Sequence, residues 1–121
     1  MPSKKASQLT AKQVFKNIQK YCLDKPGATE DYPWGEVVWK VKGKVFTFGG
    51  ENSAHFTIKS TLDKQAALVM HPQIAVAPYV GRFGWVIIEV IDDETLQLTR
   101  DLIDDSYESI VGKKRKLNRQ K

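Results

Sequence analysis

Apolar residues recur at helical spacing near the two ends of the chain and alternate with polar ones in its middle. In segment 11–24, Val14, Phe15, Ile18, Tyr21 and Cys22 share one face, and Lys12, Lys16 and Lys20 occupy the other. Thr10 suits the cap of this helix, and Lys25-Pro26-Gly27 ends it. Segment 94–111 reads as a second long helix, with Leu96, Ile103, Tyr107, Ile110 and Val111 as its stripe. Asp92, Asp93 and Glu94 sit where the positive end of that helix favours acids. Between the helices, alternation predicts strands near 36–42, 44–49, 54–59 and 85–90. A turn at Lys42-Gly43 joins the first two strands, with Gly43 supplying a positive φ. Ser60 or Thr61 caps a short helix that ends by Met70, before Pro72, and an extended piece follows at 74–78.

The same alternation assigns faces. Val37, Trp39, Val41, Phe46, Phe48, Phe56, Ile58, Val86, Ile88 and Val90 are expected to face the helices. The open face then carries Val38, Lys40, Lys42, Thr47, His55, Thr57, Lys59, Trp85, Ile87 and Glu89. A slip of one residue would exchange the two sets. Helices at both ends and strands between them give an α+β domain of two layers, an antiparallel sheet with helices on one face.

Composition adds bounds. The 121 residues suffice for one domain with its own core, here expected over 1–112, and the longest apolar run is strand-sized. The N-terminal residues lack an apolar stretch of the signal-peptide kind, and Cys22 stands alone, which excludes an internal disulfide and fits a reducing, cytoplasmic setting; a monomer is expected. The net charge of +5 is unevenly spread. Eight of the nineteen basic residues lie in the flanks, leaving eleven against fourteen acids in 6–112, a net of −3. Segment 113–121 is a basic tail, with Lys113, Lys114, Arg115 and Lys116 at its start, and reads as an electrostatic anchor.

Two Pro-Gly-aromatic segments interrupt the regular pattern. One runs from Pro26-Gly27-Ala28-Thr29-Glu30 to Trp34-Gly35; the other runs from Pro78-Tyr79 through Gly81-Arg82-Phe83-Gly84 to Trp85-Val86. Together with Val41-Lys42-Gly43-Lys44-Val45-Phe46 between them, in this order and spacing over 9–112, they resemble the MmcQ/YjbR-like family. That resemblance implies a fold like the frataxin/CyaY group and DNA as a partner; it brings no established catalytic residues.

The residues themselves carry no catalytic constellation. His55, His71 and Cys22 are not paired at metal-ligand spacing, so neither metal nor cofactor is expected. No serine lies in a nucleophile-elbow pattern, and Gly49-Gly50 is not followed by a phosphate-loop helix. The aromatic and cationic residues are more informative. Trp85 beside Lys40, Lys42 and Lys59 would offer a stacking surface flanked by cations, which suits single-stranded nucleic acid. Arg82, between two glycines, could fork onto a phosphate. The expected function is non-enzymatic, weakly sequence-specific DNA binding through Lys40, Lys42, Lys59, Arg82, Trp85 and the tail. The alternative is a protein-interaction or small-anion module built on Trp34, Tyr79, Arg82 and Trp85.

Overall fold

A computed structural model describes residues 8–112. In chain order the elements are α1 (Ala11–Leu23), β1 (Thr29–Asp31), β2 (Glu36–Val41), β3 (Lys44–Gly50), β4 (His55–Ile58), α2 (Leu62–Leu68), β5 (Ile74–Val76), β6 (Val86–Glu89) and α3 (Asp93–Val111). The strands form one antiparallel sheet in the order β1-β2-β3-β4-β6-β5, an open α+β architecture.

Local chemistry sets the boundaries. Thr10 caps α1 reciprocally: its Oγ1 accepts from the Gln13 amide at 3.1 Å, and Gln13 Oε1 accepts from the Thr10 amide at 2.9 Å. Asp92 caps α3 through the Thr95 amide at 2.9 Å, and the hydrogen bonds from Thr95 hold its carboxyl below the ordinary range. The β2–β3 turn places both Lys42 (φ 54) and Gly43 (φ 76) in the left-handed region, the geometry that follows the twist of a tight hairpin.

The core lies between the sheet and α1 and α3. Phe15 and Ile18 from α1, Trp39, Phe46, Phe56, Ile58 and Ile88 from the sheet, and Ile103 from α3 are at most 2 % exposed. Cys22 is buried among them, and desolvation pushes its thiol pKa up, so it is held protonated. α2 contributes no buried residue and lies against the periphery of this layer.

Two assignments from simple alternation are exchanged. Trp39 pairs with Thr47, whereas Lys40 pairs with Val45, so Phe46 is an extra residue in β3. This bulge lets Phe46 and Thr47 both point to the helices, each 0 % exposed, and turns Phe48 to the open face. α3 meets the bulge directly: Ser106 Oγ donates to the Phe46 carbonyl at 2.9 Å, and the Tyr107 ring packs edge-on against Phe46. The remaining expected core positions of the sheet are buried as read.

The three-residue strand β1 lies inside the first Pro-Gly segment, where the alternation gave no strand. No helix among the described residues is long and apolar enough to cross a membrane.

Candidate functional site

The strand register sorts the connections into two ends of the sheet. The β2–β3 turn, the start of β1, the end of β4 and the β5–β6 loop lie at one end, because Thr29 pairs with Lys40, and Ile58 and Val76 both pair with Val86. Residues 25–28, 42–43, 59–61 and 77–85 therefore share that end. They include Lys25, Lys42, Lys59 and Arg82 and no acid. Lys40 and Lys44 near strand ends and Lys64 in the first turn of α2 add to them, with Asp63 beside Lys64 in that turn. The opposite end holds 32–35, 51–54, 71–73 and 90–92, with Glu36, Glu51, Glu89, Asp92, Asp93 and Glu94 and no lysine or arginine. The negative core domain is thus a dipole along its strands, with cations concentrated at one end.

Not all of those cations are available. Lys25 is held by Asp104, which also accepts from the Tyr21 hydroxyl at 2.7 Å. Burial and the Asp104 contact push the Tyr21 pKa up to about 12, so the phenol remains a donor. Lys40 lies 3.9 Å from Asp31. Lys42, Lys44, Lys59, Lys64 and Arg82 form no ion pair among the described residues.

The β5–β6 loop is the most distinctive part of this end. Gly84 (φ 99) packs against the chain entering α2; a Cβ there would stand 2.5 Å from the Thr61 carbonyl carbon and 2.7 Å from the Leu62 amide. Gln65 of α2 donates to the Gly81 carbonyl at 2.7 Å and to the Trp85 carbonyl at 2.9 Å, tying down both flanks of Arg82. On this fixed support Tyr79 is 95 % exposed with φ 66, a conformation unusual for an aromatic residue. Arg82 is exposed, its guanidinium 4.8 Å from the centre of the Phe83 ring, and Phe83 is itself exposed.

The open face is different from the cationic platform expected. Asp31, Val38, Phe48, Thr57, Ile87 and Ala75 form one rung across all six strands. Its centre is apolar: Val38 is 7 % exposed, and Trp85 packs against Phe48 with ring centres 5.9 Å apart. Trp85 is on this face as expected, half-buried. Lys59, assigned to the same face, follows the end of β4 and lines a groove between α2 and α3.

Of the alternative surface of Trp34, Tyr79, Arg82 and Trp85, the last three belong to the β5–β6 loop, and the backbone of residue 34 lies at the other end of the sheet. Residue 34 precedes β2 at the acidic end, and β2 lies three strand steps from β6, about 14 Å at the usual spacing. The Trp34 side chain, and Lys113, Lys114, Arg115 and Lys116 of the tail, lie outside the described residues. No group of three or more His, Cys, Asp or Glu residues able to hold a metal occurs among the described residues.

Lys44, Lys64 and Gln65 belong to this end of the molecule and were missed by the sequence reading. The two lysines stand just after connections at that end, and their grouping becomes visible only once the register assigns connections to ends. Gln65 had no signal, since its carbonyl partners are sixteen and twenty residues away.

Comparisons with known proteins agree with this architecture. The crystal structure of the Deinococcus radiodurans protein DR2400, with a DUF419 domain, superposes with a TM-score of 0.70. The match has 22 % identity and covers 88 % of this chain and 86 % of that one. No curated protein matches the chain. The YjbR family model matches residues 23–109, which include the first Pro-Gly segment from Pro26, the β2–β3 hairpin and the second Pro-Gly segment. The chain therefore belongs to the YjbR family.

Proposed function

We propose that this protein is a non-enzymatic, cytoplasmic nucleic-acid-binding protein, and that it engages single-stranded DNA with the lysine-rich end of its sheet. The observation that carries the proposal is the uneven spread of charge: five cations without carboxylate partners among the described residues lie at the end of the sheet that also carries the exposed aromatic loop, with Asp63 beside Lys64 among them, and most of the connection acids lie at the other end. Phosphates meet Lys42, Lys44, Lys59, Lys64 and Arg82, while Tyr79 and Phe83 supply flat surfaces for unstacked bases. The contacts are to backbone and to base faces, so sequence preference is weak. The face of the sheet has a lesser part than expected, because its centre is apolar and partly covered; Trp85 contributes at its margin. The tail begins directly after Gly112 and adds further cations to the same interaction.

The test is a salt titration of the whole chain with a single-stranded oligonucleotide. Each neutralised phosphate contributes about −0.7 to the slope of log affinity against log salt. Five engaged cations of the folded domain give about −3.5, and the tail makes the slope steeper. Replacing Lys42, Lys44 and Arg82 together with glutamine lowers the magnitude by about 2. An unchanged slope would transfer the interaction to the tail, and absence of binding at low salt would refute the proposal.

A further inference from the structure

α2 and α3 stand apart along part of their length and leave a groove of about 250 Å³ on the helix side of the sheet. Its base is apolar and buried at Leu102, with Leu68 half-buried beside it and the small Ala67 at the rim. Nothing in α2 fills it, because all seven residues of that helix remain at least partly exposed.

Polar residues flank this apolar base on both sides: Asp105, Ser106 and Ser109 on α3, and the cationic set opposite. Lys59, Ser60, Thr61 and Lys64 come from the end of β4 and the start of α2. Neither lysine has a carboxylate partner among the described residues. Thr61 Oγ1 accepts from the Lys64 amide at 3.2 Å, which leaves its hydroxyl hydrogen free to donate, and the Ser60 hydroxyl makes no hydrogen bond among the described residues. One acid, Asp105, lines the groove from α3, exposed and outside any ion pair among the described residues. Two ammonium groups against one carboxylate leave a single positive charge. That balance suits a monoanion and disfavours a dianionic phosphate.

We infer that the α2–α3 groove is a binding site for a small amphipathic carboxylate, whose apolar body lies on Leu68 and Leu102 while its head meets Lys59, Lys64 and the hydroxyls of Ser60 and Thr61. The site is separate from the proposed nucleic-acid contact of Tyr79 and Arg82, although it shares Lys59 and Lys64 with that end of the molecule.

Hexanoate, with eight non-hydrogen atoms, is the probe. Amide chemical shifts of the whole chain are followed during titration with hexanoate, with hexan-1-ol, and with acetate. Saturable shifts are expected at 59–68 and 102–109 for hexanoate, with a dissociation constant of about 1 mM for a ligand of this size. Hexan-1-ol and acetate bind at least about tenfold more weakly, since each lacks one half of the recognition. Lys64→Glu weakens hexanoate by about tenfold or more. Ala67→Phe fills the groove and abolishes the shifts, yet leaves oligonucleotide affinity unchanged, so this proposal and the nucleic-acid proposal fail separately. Absence of saturable shifts in the groove, or equal binding of the alcohol or of acetate, would overturn the inference.

Discussion

The two Pro-Gly-aromatic segments have similar composition and opposite fates. Apart from Tyr32, which is 61 % exposed, the first is absorbed into the scaffold. The Tyr107 hydroxyl donates to the Pro26 carbonyl, and the Glu30 carboxylate receives the indole N–H of the buried Trp39 at 2.8 Å, the Gln19 side chain at 2.9 Å and the Tyr32 hydroxyl. Glu30 thereby satisfies the one polar atom of the largest core side chain, which would otherwise be buried unpaired. The second segment is equally well anchored, through Gly81, Gly84 and Gln65, but its anchoring holds side chains outward. Tyr79 and Phe83 are 95 % and 60 % exposed and serve no core. One segment uses its polar residues to complete packing, whereas the other uses packing to present residues.

Substitutions should divide along the same line. The largest effect is expected at Trp39, which is 0 % exposed and depends on Glu30. Trp39→Ala should cost ~3–5 kcal/mol in chemical denaturation, and Trp85→Ala, on the half-buried margin of the open face, distinctly less. The reverse order would mean that the face assignments are inverted.

Glu30→Ala follows, at ~1–3 kcal/mol, because it leaves the Trp39 indole without its acceptor. It also has a pH signature. Burial alone would raise the Glu30 pKa, but hydrogen bonds from Tyr32, Gln19 and Trp39, with Lys16 nearby, together outweigh it and hold the carboxyl below its ordinary 4.5. A group depressed in the folded state stabilises fully above its unfolded pKa and loses that contribution as pH falls through the folded value. Denaturation midpoints of the wild type should therefore decline below about pH 4.5 more steeply than those of Glu30→Gln. Parallel curves would remove Glu30 from the scaffold.

How much of this was legible in the sequence depends on the range of the signal. The order of the elements other than β1 followed from local periodicity and caps: Thr10, Thr61 and Asp92 each begin a helix with an acceptor for its free amides. The bulge at Phe46-Thr47 was not legible, because an extra residue in a strand leaves no compositional mark and shows only in the pairing with Trp39 and Lys40. Its consequence was local, exchanging Thr47 and Phe48 and leaving β2, β4 and β6 as read. The candidate site was half legible. Arg82 and Tyr79 stood out by their glycine and proline neighbours. The grouping of Lys42, Lys44, Lys59 and Lys64 with them needed the register of four strands, and alternation instead placed Lys59 on the open face.

At Tyr79 the expected effects on stability and binding separate. The side chain is almost fully exposed and its backbone sits at φ 66, so Tyr79→Gly removes strain and little packing. Thermal denaturation should show a change between zero and a gain of ~1 kcal/mol. Oligonucleotide affinity should nevertheless fall by ~1–3 kcal/mol, the contribution of one stacked base. Destabilisation by this substitution would show that the second segment is scaffold as well.

The smallest effect on the fold is expected at Arg82. Arg82→Ala should leave stability within ~0.5 kcal/mol, as for exposed positions generally. It should reduce the salt slope for oligonucleotide binding by about 0.7, one phosphate contact. Equal slopes in the two proteins would take Arg82 out of the interface.

The central claim is that binding belongs to the end of the sheet where the second segment lies. It is tested most directly by mapping amide chemical shifts of the whole chain while a single-stranded oligonucleotide is added at low salt. The account predicts saturable shifts concentrated at 42–44, 59–64 and 79–85, with 32–36, 51–55 and 90–94 undisturbed. Shifts centred on the acidic end, or none anywhere in the folded domain, would contradict it.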